Sequence, residues 1–149
     1  MQRDYILRMI EQAGMILKQL LARVLGRAAN REEITRDLRR AAQLGGLDLD
    51  ILRMCDGPTL VQIVAPGGDT DPSRAWLAAE TLYVDGVEAE LDGRSVDAAA
   101  VFSKALALFR LLEPDAVLPS GFPEANARIA EIEGRLRTLP AEPGNGRRG

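Results

Sequence analysis

The sequence predicts an all-α fold, a helical bundle or short α-solenoid of about six helices. Leu and Ala dominate the apolar set, whereas only three Phe, two Tyr and one Trp occur, and Leu and Ala are strong helix formers. Apolar residues recur at alternating steps of three and four, which gathers them on one helix face. The one stretch with strand-like composition, Leu60 to Val64, has no second candidate to pair with, so a short buried helix is expected there. At 149 residues, 46% hydrophobic and 28% charged, a single helical domain over residues 1–139 is expected, followed by a disordered tail over 140–149.

The first helix, residues 3–26, carries Ile6, Ile10, Ala13, Leu17, Leu20 and Val24 at helical spacing, with Tyr5, Met9, Ile16 and Leu21 widening the stripe. Gly26 suits a left-handed C-terminal cap. Asn30 followed by Glu33 forms a capping box for the second helix, whose stripe is Ile34, Leu38, Ala41 and Ala42 and whose end is Gly45–Gly46. Asp48 caps a short helix through Cys55 and Pro58 starts another. Together they are expected to form a small degenerate hairpin.

Asp71–Pro72 joins an N-cap carboxylate to a pre-set proline dihedral, the strongest helix start in the chain. The helix runs through Leu91 with Trp76, Ala79, Leu82, Tyr83, Gly86 and Val87 facing its partner. Asp92 and Gly93 turn the chain. A second stripe follows, Ala98, Val101, Phe102, Ala105, Leu108, Phe109 and Leu112, until Pro114 forbids continuation. Residues 72–112 therefore form a helical hairpin. The last helix, 123–139, steps through Ala125, Ile129, Ile132, Leu136 and Leu139. It is expected to cap the hairpin, with Glu124, Arg128, Glu131 and Arg135 toward water.

Gly86, Gly93, Ala98, Phe102 and Ala105 fall where a tetratricopeptide repeat places Gly, Gly, Ala, an aromatic and Ala, so the hairpin resembles one such repeat. The first-helix places usually filled by Trp, Leu and Tyr hold Leu82, Asp85 and Ala89 instead. One repeat cannot bury its own apolar face, so the neighbouring helices must cover it. The opening QRDYILRMIEQ is similar to the start of an uncharacterised family of small bacterial helical proteins, a domain of unknown function that ends in a repeat-like pair. The resemblance implies a fold and a bacterial origin and transfers no site.

Function classes narrow by chemistry. The chain has no histidine, which removes the commonest general base and the most frequent transition-metal ligand together. No catalytic residue, cofactor or metal is expected. Acids crowd the middle: Glu80, Asp85, Glu88, Glu90 and Asp92. The Glu-x-x-His pairs of a dinuclear site cannot form, so the exposed acids are expected to read a basic or polar peptide, and an enzyme with an unfamiliar carboxylate site is the least favoured reading. Cys55 reads as a buried inert thiol, and Asp69 and Asp71 as caps rather than calcium ligands.

The expected role is a non-enzymatic interaction or adaptor module that binds a partner helix or peptide. Ile6, Ile10, Leu17, Leu20 and Val24 are either core or a partner or homodimer face. The alternative is a peripheral membrane or regulatory protein, with Arg3, Arg8, Lys18 and Arg23 flanking an interfacial helix. Arg31, Arg36, Arg39 and Arg40 could meet phosphates, but a net charge of −3 disfavours nucleic acid. Residues 1–40 carry +4 and residues 48–97 carry −8. With one cysteine and no apolar run of membrane-spanning length, a cytoplasmic location is expected.

Overall fold

A computed structural model describes residues 2–112 and 125–140, with side chains from Asp4 onward. Among these residues the chain is all-α: α1 (Gln2–Leu25), α2 (Arg31–Leu44), α3 (Leu49–Met54), α4 (Gly57–Val64), α5 (Pro72–Leu91), α6 (Ser95–Phe109) and α7 (Ala125–Thr138), with a single 3-10 turn at Pro66–Gly68. Among the described residues these seven helices pack as a bundle. Pro114, Pro123, Glu124 and the tail from residue 141 lie outside the described residues.

The helix starts follow the local chemistry. Asn30 accepts from the Glu33 amide at 2.8 Å while Glu33 accepts from the Asn30 amide at 2.9 Å, so two orphan donors are satisfied at once. Asp48 caps α3, Asp56 caps α4, and Asp71 receives the Ser73 amide at 3.1 Å ahead of Pro72. One end differs from expectation. The left-handed residue after α1 is Arg27 (φ 53), not Gly26, because the closing bond from Ala28 reaches back to Arg23 and puts Arg27 at the position that needs positive φ.

α5 is the axis of the bundle. Every residue from Ala75 to Ala89 is buried, including Glu80, Thr81, Asp85 and Glu88. α1, α2, α3, α4 and α6 all pack on it, which a stacked array would not allow, since there each unit touches only its neighbours. Small residues permit this crowding: Ala75, Ala78, Ala79, Gly86 and Ala89 let helices approach from several sides. The residues after Gly46 do not fold back as a hairpin. α3 rests on α2 and α5, whereas α4 rests on α5 and α6.

The α5–α6 pairing holds as expected. Phe102, Ala98 and Ala105 are fully buried, and Gly93 turns the chain at φ 79. Gly86 is where the Phe102 ring lies on the α5 backbone: a Cβ there would stand 2.6 Å from Phe102 Cε1. Gly86→Ala should therefore lower stability by about 1–3 kcal/mol through overpacking, although alanine is the better helix former. Combining it with Phe102→Leu should reveal a coupling of roughly 0.5–3 kcal/mol in urea melts. Strictly additive losses would mean that the ring and the glycine do not share this space.

Candidate functional site

Two charged assemblies surround α5. The first joins it to α7. At 3.6 residues per turn, Tyr83 falls between Glu80 and Glu90 on the helix surface, and all three meet α7. Arg128 grips Glu80 with both arms, Nε to Oε1 at 2.9 Å and Nη2 to Oε2 at 2.6 Å. Its guanidinium lies 4.0 Å above the Tyr83 ring centre, a cation–π stack strengthened by burial. Tyr83 donates to Glu131, which also accepts from Arg128 at 3.0 Å and Arg135 at 3.1 Å, and Arg135 pairs with Glu90.

Burial, then the hydrogen bond to Glu131, pushes the Tyr83 hydroxyl up to about 12. Burial opposes ionisation of Glu131 as well, but the bonds from Tyr83 and Arg135 and the nearby Arg128 outweigh it and hold the carboxyl below its usual range. Arg128, Glu131 and Arg135 thus face inward toward α5, not water. The expected solvent-facing stripe is the lock between α7 and the bundle.

The second assembly lines a groove at the C-terminal end of α5. A cavity of about 290 Å3 is bounded by Arg31, Arg53, Asp85, Glu88, Arg94 and Lys104, with Ala100 and Val101 supplying apolar surface. Arg53 forks onto Asp85 at 2.9 and 3.1 Å. Arg94 meets Glu88, Asp92 and Asp97 together, and these contacts raise its pKa despite partial burial. Lys104 donates to the Leu52 carbonyl at 3.2 Å and to the Arg53 carbonyl, the last carbonyls of α3, where a cation also meets the negative helix end. Partial burial lowers its pKa. A second cavity of about 250 Å3, lined by Val24, Arg27, Asn30, Ile34 and Leu91, shares Arg31 and Glu88 with the first.

The sequence candidates are distributed unevenly over this surface. Ile10, Leu17, Leu20 and Val24 are buried in the core, where α1 packs on α2 and α5, while Ile6 remains 44% exposed. Glu80, Asp85 and Glu88 are buried and Glu90 is partly so, each held by an arginine, so they are not a free acidic surface for a basic peptide. Among the described residues no group of three or more His, Cys, Asp or Glu could hold a metal ion, and no helix is long and apolar enough to cross a membrane. Asp71 caps α5, as expected, and Cys55 is half-buried. Arg39 pairs with Asp50 at 2.9 Å. Arg53, Arg94 and Lys104 line the groove without any signal of it in their local sequence pattern. Another depression, about 590 Å3 along α4 and the Pro66–Gly68 turn, has no ionisable residue in its lining.

These features define a small helical bundle with a charged surface groove. No family model, curated protein or solved structure matches the chain.

Removing one partner of the Glu80–Arg128 pair strands a buried charge. Arg128→Met should cost about 3–5 kcal/mol, and Glu80→Met in the same chain should restore much of it; a loss that persists unchanged in the double variant would show that packing, not charge, is responsible. Tyr83 also makes stability depend on alkali. Between its ordinary value of 10 and about 12, the folded chain keeps a proton that the unfolded chain releases, so stability falls as pH rises through this window. Urea unfolding at stepped pH should show that decline, and Tyr83→Phe should flatten it.

Proposed function

We propose that the chain is a non-enzymatic interaction or adaptor module whose groove, walled by α2, α3, α5 and α6, receives a polypeptide segment of a partner protein. One observation carries the reading: Asp85, Glu88 and Lys104 are each engaged by atoms of the chain itself. Acid–base catalysis needs a group free to exchange a proton with substrate. Engaged groups make stiff walls instead, with outward lone pairs and N–H groups left for hydrogen bonds at a polar rim.

The shape supports the same reading. The groove is open rather than enclosed, and Leu91, Ala100 and Val101 offer apolar contact between the charged walls. The membrane alternative is less favoured, because Ile10, Ala13, Leu17, Leu20 and Val24 of the α1 stripe are packed in the core, although Tyr5, Ile6, Met15 and Leu25 are exposed.

A photo-crosslinking residue at Ala100, inside the groove, tests this in the native cell, with Arg137 on the exposed side of α7 as the control position. Polypeptide adducts should form from position 100 and not from 137. An absence of groove-specific adducts, combined with turnover of a small molecule by the purified chain, would replace the adaptor reading with an enzymatic one.

A further inference from the structure

We infer that the segment received by the groove is acidic, its carboxylates meeting Arg31 and Arg27 at the α1–α2 turn while its apolar side chains rest on Leu91, Ala100 and Val101; this rests on the groove reading above. The two cavities adjoin at the end of α5, where both are lined by Arg31 and Glu88. The charges there differ in availability. Asp85 is held by Arg53, and Glu88, Asp92 and Asp97 are held by Arg94. On the opposite wall, Arg31 is exposed and has no ion-pair or hydrogen-bond partner among the described residues. Arg27 is exposed too, and reaches only the Leu91 carbonyl, at 3.5 Å.

An incoming carboxylate therefore finds guanidinium forks ready to accept it in the bidentate geometry that arginine favours. An incoming lysine or arginine reaches the buried Asp85 and Glu88 only by displacing Arg53 or Arg94, which would leave a buried charge unpaired, and the exposed Asp92 and Asp97 already share Arg94. The longer-range field agrees. Residues 1–40 carry +4, and the arginines that neutralise α5 come from positions 53, 94, 128 and 135, so the basic excess of α1 and α2 is not consumed by the acidic axis. Exposed Arg8, Lys18 and Arg40 belong to this layer and would raise the encounter rate of an acidic segment.

A random peptide display library panned against the full chain tests the inference, alongside Arg27→Glu/Arg31→Glu and the groove-blocking Ala100→Trp, each checked for helical fold by circular dichroism. Peptides enriched on the native chain should be rich in Asp and Glu interleaved with apolar residues. Synthesised singly, they should lose about tenfold or more in affinity for the double variant, and weaken as salt rises. Enrichment of Lys- and Arg-rich peptides that Ala100→Trp abolishes would overturn the acidic partner and leave the groove reading standing. No enrichment above that on Ala100→Trp would overturn both. Binding of phosphatidylserine vesicles or a single-stranded oligonucleotide in place of peptides, dependent on Arg27 and Arg31, would overturn the inference in favour of a different anionic surface.

Discussion

The fold depends on matching the carboxylates of a fully enclosed helix. α5 has Glu80, Asp85 and Glu88 at 4%, 7% and 9% exposure, and a carboxylate taken out of water without a partner costs several kcal/mol. Each match comes from a different part of the chain: Arg128 from α7, Arg53 from α3, Arg94 from the turn before α6. Shifting α3 or α7 by one helical turn would strand an acid among apolar neighbours. The pairs thus discriminate between packings even where their net contribution to stability is small. The apolar contacts of α5, which are non-directional, would tolerate several rotations that these forks do not.

Local signals in the sequence carried over well. The Asn30–Glu33 box, the Asp71–Pro72 start and the Asp92–Gly93 turn depend on atoms within a few residues of each other, so their chemistry is visible in a short window. The α5–α6 packing was legible for a related reason: Gly86 and Phe102 are separated by one turn, and close approach requires a small residue on one side. Leu60–Val64 became a helix despite its β-branched residues, since an isolated strand would leave its backbone donors unpaired in the interior.

What escaped the sequence was burial of charge. Nothing near Glu80 announces an arginine 48 residues later, so α5 read as two-faced when it is enclosed. One signal was present. Arg128, Glu131 and Arg135 are spaced at three and four, the step of a single helix face, and beside the α7 apolar stripe such a face can point inward only if acids await it. Residues 48–97 hold eleven acids against three bases; Arg53 and Arg94 meet the buried Asp85 and Glu88, and α7 supplies the arginines for Glu80 and Glu90. The groove was illegible because it is made by four helices whose lining residues have no common periodicity.

The charge asymmetry of the groove follows from the same matching. Asp85 and Glu88 lie on the side of α5 away from α7, so their partners must come from α3 and the α5–α6 turn, and both arginines are consumed there. At the α1–α2 turn, the capping box uses the Glu33 carboxylate on the Asn30 amide, and Arg23 takes Asp37 at 3.2 Å. Arg31 and Arg27 are left beside acids that are already occupied, and positive φ at Arg27 aims its side chain across the turn toward Leu91. An acid placed inside the chain to neutralise them would have removed a face where, among the described residues, guanidinium groups without ion pairs adjoin the apolar Leu91 and Val101. Neutralising α5 from α3, α7 and the α5–α6 turn keeps the axis closed and leaves Arg27 and Arg31 without ion pairs among the described residues.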